Sequence, residues 1–236
     1  ALTAATAGVE VAIFEKSDSV GGTTAVSGGI AWIPAHNKTA GLTVDDAMAY
    51  LRAQSFGTMD EGLVETFVRS GQPMIDFVET HSDLRFQIAT GFPDYKPELP
   101  GGRPGGGRSL GPAPYDLNRI PGWGERITSF PADFSNVGLD AETRARLHAD
   151  IGGGAGDLVV AGAALVAGLL RGLLDLGVEP QTNCRAVELL AADGRITGVR
   201  ISNADNMFDV HAHRGVILAN GCLLYTSDAA DELPCV

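Results

Sequence analysis

The 236-residue sequence has few of the residues that mark disulfide-rich, metal-binding or nucleic-acid-binding proteins. Its three cysteines, Cys184, Cys222 and Cys235, match neither a disulfide framework nor the ligand spacing of a metal site. Its 17 Lys and Arg residues face 29 Asp and Glu residues, for a formal charge of −12. Since nucleic acids are bound through clustered cations, such a surface repels them. We therefore expect no metal, no nucleic-acid partner and a reducing, cytoplasmic compartment.

The sequence also lacks a hydrophobic run that could span a membrane. The apolar run at residues 158–170 ends at Arg171, whereas a spanning helix needs about 20 residues. Hydrophobic residues still make up 44% of the chain, enough for a sizeable core in one domain or two small ones. His211 and His213 share one face of a predicted strand and have no third ligand nearby, so we expect a surface pair rather than a metal site.

The first 29 residues are typical of the second half of a dinucleotide-binding unit. Residues 1–7 predict a helical turn that Gly8 ends, and residues 9–14 predict an apolar strand that Glu15 closes. A carboxylate at the end of this strand can accept both ribose hydroxyls of an adenosine, the alternative being a merely solvated side chain. The glycine loop (residues 21–29) lets backbone N–H groups approach a phosphate.

Both ends of the sequence predict a fragment. The glycine fingerprint that opens such a unit is absent, so we expect the chain to begin inside its first helix, with an export signal left open. Residues 216–221 predict a strand and a turn, after which the composition changes abruptly. Residues 222–236 resemble the translated read-through of a sequencing adapter, the alternative being a genuine acidic peptide. We therefore expect one partial domain at residues 1–221 and a non-native tail at 222–236.

Helices and then an irregular segment follow the glycine loop. Thr43 is predicted to cap one helix, Asp60 to cap a second that ends before Gly71, and Pro73 to begin a third. Residues 84–89 predict a strand. The Pro/Gly segment (residues 90–136) is either disordered or an ordered loop against an active site, and its aromatic residues favour the ordered loop.

The C-terminal half predicts one buried helix and a β-meander. The helix spans residues 157–176 and follows glycines at 152–156, which indicate either a tight turn or a phosphate contact. Strands are predicted at residues 178–183, 186–190, 196–202, 207–212 and 216–219, with a hairpin turn at Asp193-Gly194. The order of elements predicts an α/β, Rossmann-like domain with a β-meander.

Several motifs resemble the FAD-binding domain of the fumarate reductase/succinate dehydrogenase flavoprotein superfamily. They are Glu15-Lys16, Gly21-Gly22-Thr23-Thr24, Ser27-Gly28-Gly29 and Trp32-Ile33-Pro34. Within that superfamily the chain is most similar to the 3-ketosteroid Δ1-dehydrogenases. The motifs that carry this narrower resemblance are Phe92-Pro93-Asp94-Tyr95, Gly107-Arg108-Ser109 and the run from Arg214 to Gly221.

The resemblance implies an extended FAD molecule along these residues. Glu15 would bind the adenosine ribose, the glycine loop would follow the diphosphate and the flavin, and the backbone at Ala186 and Val187 would meet the adenine. Gly22 aligns with the histidine that attaches FAD covalently in some members, so non-covalent binding is expected. The implied cofactor residues are Glu15, Lys16, Gly21, Gly22, Thr23, Thr24, Ala25, Ser27, Gly28, Gly29, Ala186, Val187, Ala219 and Gly221.

The resemblance also implies a reaction. FAD takes a hydride from C1 of a 3-ketosteroid while a tyrosine removes a proton from C2. Tyr95 occupies the position of one such tyrosine, with Ile30 and Phe92 lining the pocket, although Tyr95 as a simple loop anchor stays open. A second tyrosine and a substrate-capping domain are expected beyond Gly221, so this stretch alone is expected to be inactive. The external electron acceptor is not specified.

Two alternatives stay open. One is a fumarate reductase-like flavoprotein, whose site would need several Arg or His side chains for a dicarboxylate. The Pro/Gly segment offers aromatic residues and glycines instead, which favours a small apolar, steroid-like substrate. The other alternative is a flavin-binding module without activity.

Overall fold

The computed structural model describes residues 1–128, 158–204 and 206–221. The predictions for residues 152–156 and for the tail at 222–236 lie outside the described residues. In chain order the elements are α1 (Leu2–Thr6), α2 (Gly22–Ala25), β1 (Ala31–Trp32), α3 (Val44–Ser55), α4 (Glu61–His81), β2 (Phe86–Ile88), β3 (Ser109–Pro112), β4 (Tyr115–Asp116), β5 (Leu158–Val159), α5 (Ala161–Asp175), β6 (Arg185–Ala192), β7 (Arg195–Asn203) and β8 (Asn206–His211).

The described strands form three small antiparallel sheets. Their strand orders are β1-β3-β2, β4-β5 and β6-β7-β8. The third sheet is the predicted meander, and its first turn has positive φ at both Asp193 (51°) and Gly194 (73°). Only Gly, Asn and Asp adopt that pair of angles readily, which confirms the hairpin turn.

Helix α5 lies at the centre of the main core. The helix is shorter than predicted and begins at Ala161, because the chain is still extended at Leu158–Val159. Ala164 and Ala167 are fully buried, and Trp123, Ile120 and Val20 pack in the same cluster. Small side chains let neighbouring segments approach α5 on several sides, so the predicted all-round burial is confirmed. None of the helices in the described ranges is long and apolar enough to cross a membrane.

Both predicted helix caps are present. The Thr43 hydroxyl accepts from the N–H of Asp46 at 3.0 Å, and the Asp60 carboxylate accepts from the N–H of Leu63 at 2.9 Å. Each cap satisfies an N–H group that has no partner inside its helix.

The predicted boundary at Gly71 is wrong, because α4 continues from Glu61 to His81 with Pro73 inside it. Gly71 is buried, and a Cβ there would lie 2.5 Å from Ile33 Cγ2. The glycine therefore allows close packing and does not end the helix. Pro73 has no N–H to donate, and the packing at Gly71 stabilises α4 where that hydrogen bond is missing.

Three predicted strands do not form among the described residues. Residues 9–14 contribute a single parallel bridge from Phe14 to Gln181, and residues 178–183 contribute the other side of that bridge. Residues 216–219 pair with none of the described strands, and Ile217 is 81% exposed. The apolar composition of these three segments is typical of strands that are covered on both faces. The described residues do not supply neighbours that cover them in this way.

The described part of the Pro/Gly segment, residues 90–128, is ordered. It contains β3, β4 and two 3₁₀ turns, Leu117–Arg119 and Gly124–Arg126. Strand β3 is the central strand of its sheet, and Leu110 in it is fully buried. The aromatic residues Tyr115 and Trp123 pack into the main core, which confirms the ordered alternative for this part.

Gly71→Ala should destabilise the protein, although alanine is the better helix former. A Cβ at Gly71 would meet Ile33 Cγ2 at 2.5 Å and the Ala35 carbonyl oxygen at 3.2 Å. Such overpacking costs about 1–3 kcal/mol, against a helix-propensity gain of about 1 kcal/mol. We expect a lower free energy of unfolding in a urea titration.

Gly62→Ala in the same helix is the matched control. A Cβ there meets only Asp60 Oδ1, at 3.6 Å. This variant should keep or raise the free energy of unfolding, by up to about 1 kcal/mol. If Gly71→Ala is as stable as Gly62→Ala, the contact with Ile33 does not govern position 71.

Candidate cofactor and substrate site

Glu15 lies where two parallel segments end side by side. Its N–H donates to the Gln181 carbonyl at 2.8 Å, and its own carbonyl accepts from the N–H of Cys184 at 2.8 Å. The side chain is half-buried, and Oε1 accepts from the N–H of Ser17 at 2.8 Å. In the described part of the chain Oε2 has no donor, so one carboxylate oxygen is available to a ribose.

The glycine loop is built by positive φ angles and by contact with α5. Gly21 has φ 109° and is the N-cap residue of α2, while Gly29 has φ 64° and is buried. The Ser27 carbonyl accepts from the N–H of Gly162 at 2.9 Å, and the Ser27 hydroxyl accepts from the N–H of Gly29 at 3.0 Å. These contacts fix the inner side of the loop on the first turn of α5, and Ala25 is buried with them.

The outer side of the glycine loop is open. Gly22, Thr23, Thr24 and Gly28 are exposed, and no atom lies within 4 Å of a Cβ built on Gly22. The backbone there is accessible to a ligand, as a diphosphate contact requires.

A β-bulge marks the predicted adenine end. Ala186 pairs with Ile201 and Glu188 pairs with Arg200, so Val187 stands outside the ladder between β6 and β7. A bulge leaves the backbone groups of the extra residue unpaired. Because the Cys184 N–H is bonded to Glu15, the structure brings this bulge and the Glu15 carboxylate to the same end of the molecule.

Three predicted cofactor residues are not joined to these groups. Lys16 is exposed beside Glu15, and Ala219 and Gly221 lie on the exposed segment after β8. In the described ranges no hydrogen bond links Ala219 or Gly221 to the glycine loop or to Glu15. Their role stays a prediction.

The groups that the structure does assemble fit FAD. A free carboxylate oxygen suits a ribose, an open glycine backbone suits a diphosphate, and unpaired backbone at a bulge suits the polar edge of an adenine.

A buried ion pair organises the other side of the site. Arg108 and Asp94, each with a side chain 1% exposed, approach to 2.6 Å between Nη1 and Oδ2. Trp32 Nε1 donates to Asp94 Oδ1 at 2.8 Å, and the N–H of Arg103 donates to Oδ2 at 2.9 Å. Arg108 Nε donates to the Pro34 carbonyl at 3.1 Å. The carboxylate thus has partners on both oxygens, which offsets the cost of its burial.

Tyr95 stands between two anchored neighbours. Asp94 is held by Arg108, and the N–H of Lys96 donates to the Tyr50 hydroxyl at 3.2 Å. Tyr95 itself is 95% exposed, so the anchored backbone presents its ring and hydroxyl outward. Phe92 and Ile30 are also exposed, at 50% and 42%. Proton transfer by Tyr95 stays a prediction.

A pocket of about 570 Å³ lies beside this loop. Its lining residues come from the end of β2 and from the Pro/Gly segment: Thr39, Ile88–Gly91 and Gly102–Gly107. Arg103 is the one charged residue in the lining, and its guanidinium donates to the carbonyls of Gly41 (3.0 Å) and Ala40 (3.4 Å). Ile30, Phe92 and Tyr95 are not among the lining residues.

Two buried titratable groups near the site are held neutral. Burial lowers the pKa of His36 below 6.5, and Lys38 lowers it further, while the Gly107 carbonyl partly offsets both. Burial and then the nearby Asp83 carboxylate raise the pKa of Tyr115 to about 12. Tyr115 therefore stays protonated in the physiological range.

Sequence reasoning missed the anchoring role of Asp94 and Arg108. Arg108 is buried, and the Arg103 guanidinium donates to backbone carbonyls, so both arginines have structural partners. The interaction joins residues from Trp32 to Arg108, and no local pattern indicates such a distant contact. The signal that could have found it is the acid in Phe92-Pro93-Asp94-Tyr95, which needs a cation if the loop is packed.

The fold and this set of groups define a flavin- and nucleotide-binding domain. A family model described as an FAD binding domain matches residues 1–225, and the chain belongs to that family. FAD is thus confirmed as the cofactor, and the Rossmann-like FAD-binding fold class is confirmed with it.

The chain is also similar to three described proteins. 4-Oxocyclohexanecarboxylate 2-dehydrogenase of Sinomonas cyclohexanicum is 33% identical over 99% of this chain and 42% of its own length. 3-Oxosteroid 1-dehydrogenase of Mycolicibacterium smegmatis is 32% identical over 94% and 44%. The structure of 3-ketosteroid delta1-dehydrogenase from Sterolibacterium denitrificans with 1,4-androstadiene-3,17-dione matches with a TM-score of 0.78 and 26% identity, over 92% of this chain and 45% of that one. The chain spans less than half the length of each.

Asp94→Asn should strongly destabilise the protein. It leaves the Arg108 guanidinium buried without a counter-charge, and breaking a buried pair on one side costs about 3–5 kcal/mol. We expect that loss in the free energy of unfolding by urea titration.

Glu65→Gln is the matched control, because Glu65 pairs with Arg69 at 2.8 Å on the exposed surface of α4. Exposed pairs contribute about 0–1 kcal/mol. Losses of similar size in the two variants would contradict the anchoring role of Asp94.

Proposed function

We propose that the protein is an FAD-dependent dehydrogenase that introduces a double bond into the ring of a cyclic ketone, and that its substrate is a 3-oxosteroid. The observation that carries the proposal is the outward-facing Tyr95, held between the anchored Asp94 and Lys96 in a chain of the FAD binding domain family. The similarity to 3-oxosteroid 1-dehydrogenases supports it.

The proposed reaction assigns separate tasks to cofactor and protein. Bound FAD supplies the acceptor for a hydride that leaves C1 of the steroid A ring. Tyr95 receives the proton from C2, and the electron pair of the broken C2–H bond becomes the new C1–C2 double bond. Glu15 and the glycine loop hold FAD in place without covalent attachment, since Gly22 offers no side chain.

A dicarboxylate substrate is less well supported. Two carboxylates would require several Arg or His side chains aimed into the site. In the described residues Arg103 is the sole Arg or His side chain of the pocket lining, and His36 is buried beside the Gly107 carbonyl.

A smaller keto acid is the second candidate substrate. Arg103 is a cation at the pocket, and guanidinium matches carboxylate geometry. The 33% identity to 4-oxocyclohexanecarboxylate 2-dehydrogenase also favours it.

Anaerobic flavin reduction by the full-length protein should distinguish the two ketones. Faster reduction by 4-oxocyclohexanecarboxylate than by 4-androstene-3,17-dione would favour the keto acid, and no reduction by either would contradict the proposed reaction.

Tyr95→Phe in the full-length protein should slow flavin reduction at least tenfold while FAD binding stays normal. The variant keeps the ring and removes the hydroxyl, and general acid–base assistance contributes roughly 10²–10⁴-fold. Stopped-flow absorbance of the flavin on mixing with the ketone is the measurement.

Tyr115→Phe makes the same chemical change at the buried hydroxyl that faces Asp83. Its flavin reduction should match that of the wild type. An unchanged rate in Tyr95→Phe would leave Tyr95 as a loop anchor only.

Acid precipitation should release all of the flavin from the full-length protein. The physical reason is the glycine at position 22, where a covalent link would need a side chain. The absorbance of the supernatant and of the redissolved pellet measures the partition. Yellow colour that stays with the pellet after washing would refute non-covalent binding.

A further inference from the structure

Arg126 joins the two segments of the FAD site. Its Nη2 donates to the Thr182 hydroxyl at 2.6 Å, and Thr182 follows the residue that pairs with Phe14 and Glu15. Its backbone carbonyl accepts from the N–H of Val20 at 2.7 Å, directly before Gly21. One residue therefore touches both the segment that pairs with Glu15 and the start of the glycine loop.

The hydrogen bond to Thr182 places the Arg126 guanidinium at the nucleotide edge. Phe14 pairs in parallel with Gln181, and Val20 pairs in parallel with Ile127. Nucleotides bind outside the carboxyl ends of parallel segments, which are the ends that Glu15 and Thr182 occupy. Arg126 is half-buried, with its guanidinium carbon 4.1 Å from the centre of the Trp123 ring, so its position is defined by packing.

Arg126 carries a charge that no carboxylate neutralises within the described ranges. Arg126 forms no ion pair in those ranges. The arginines that do form one there are Arg52, Arg69, Arg108, Arg119, Arg171 and Arg200. Its hydrogen bond to Thr182 uses one of five guanidinium N–H groups. The remaining donors are available to an anion.

A cation at this position would offset the negative charge of the FAD diphosphate. The glycine loop has no charged side chain, Glu15 adds a negative charge, and the whole chain has a formal charge of −12. We propose that Arg126 binds the diphosphate of FAD and neutralises it between the Glu15 segment and the glycine loop. The inference rests on FAD as the cofactor and is independent of the dehydrogenation reaction.

The test measures ligand affinity in the full-length protein after removal of its flavin. Arg126→Gln should weaken binding of FAD and of ADP about tenfold or more, because both carry the diphosphate and charge-assisted hydrogen bonds are the strong ones. Riboflavin and adenosine lack the diphosphate, so their dissociation constants should change less than about twofold. Flavin fluorescence and calorimetry give the four values, and added salt should shrink the difference for FAD and ADP.

Three further variants separate charge from structure. Arg126→Lys should recover part of the FAD affinity, and Thr182→Val should retain most of it because the guanidinium stays. Arg195→Gln removes an exposed arginine at the β6–β7 turn and should change nothing. Equal losses for all four ligands in Arg126→Gln, or a loss in Thr182→Val as large as in Arg126→Gln, would show a structural tether and overturn the proposal. Unchanged FAD affinity in Arg126→Gln would overturn it as well.

Discussion

The buried ion pair between Asp94 and Arg108 is the interaction on which the substrate side of the molecule depends. Burying two charges costs several kcal/mol each unless every oxygen and most donors find partners. Here Trp32, Arg103 and the Pro34 carbonyl supply those partners from two separate stretches of chain, residues 32–34 and Arg103. The pair therefore ties β1 and the Pro/Gly segment together, and Tyr95 follows directly on the anchored carboxylate.

The cofactor side depends on a different constraint, the meeting of parallel segment ends. The Glu15 segment bonds to Gln181 and Cys184, which leads into the meander, and Arg126 links Thr182 to the start of the glycine loop. The glycine loop in turn rests on the first turn of α5. One connected set of contacts thus holds together the groups proposed for the ribose, the diphosphate and the adenine, whereas the proposed proton transfer is assigned to Tyr95.

Sequence patterns predicted local features well and distant ones poorly. The caps at Thr43 and Asp60 and the turn at Asp193-Gly194 follow from short-range geometry, and each was confirmed. Gly71 was misjudged because its role is contact with Ile33, which no helical pattern reveals. The strands at residues 9–14 and 216–219 depend on neighbours that the described residues do not supply. The Asp94–Arg108 pair was missed for the same reason, since its partners lie far apart in sequence.

A crystal structure of the full-length protein with FAD and a 3-oxosteroid tests the central claim most directly. The account predicts the Glu15 carboxylate on the adenosine ribose and the Tyr95 hydroxyl within hydrogen-bond reach, about 3 Å, of the ring carbon beside the carbonyl. It also predicts that the Asp94–Arg108 pair is unchanged. Density that places the steroid away from Tyr95, or FAD away from Glu15, would contradict the account.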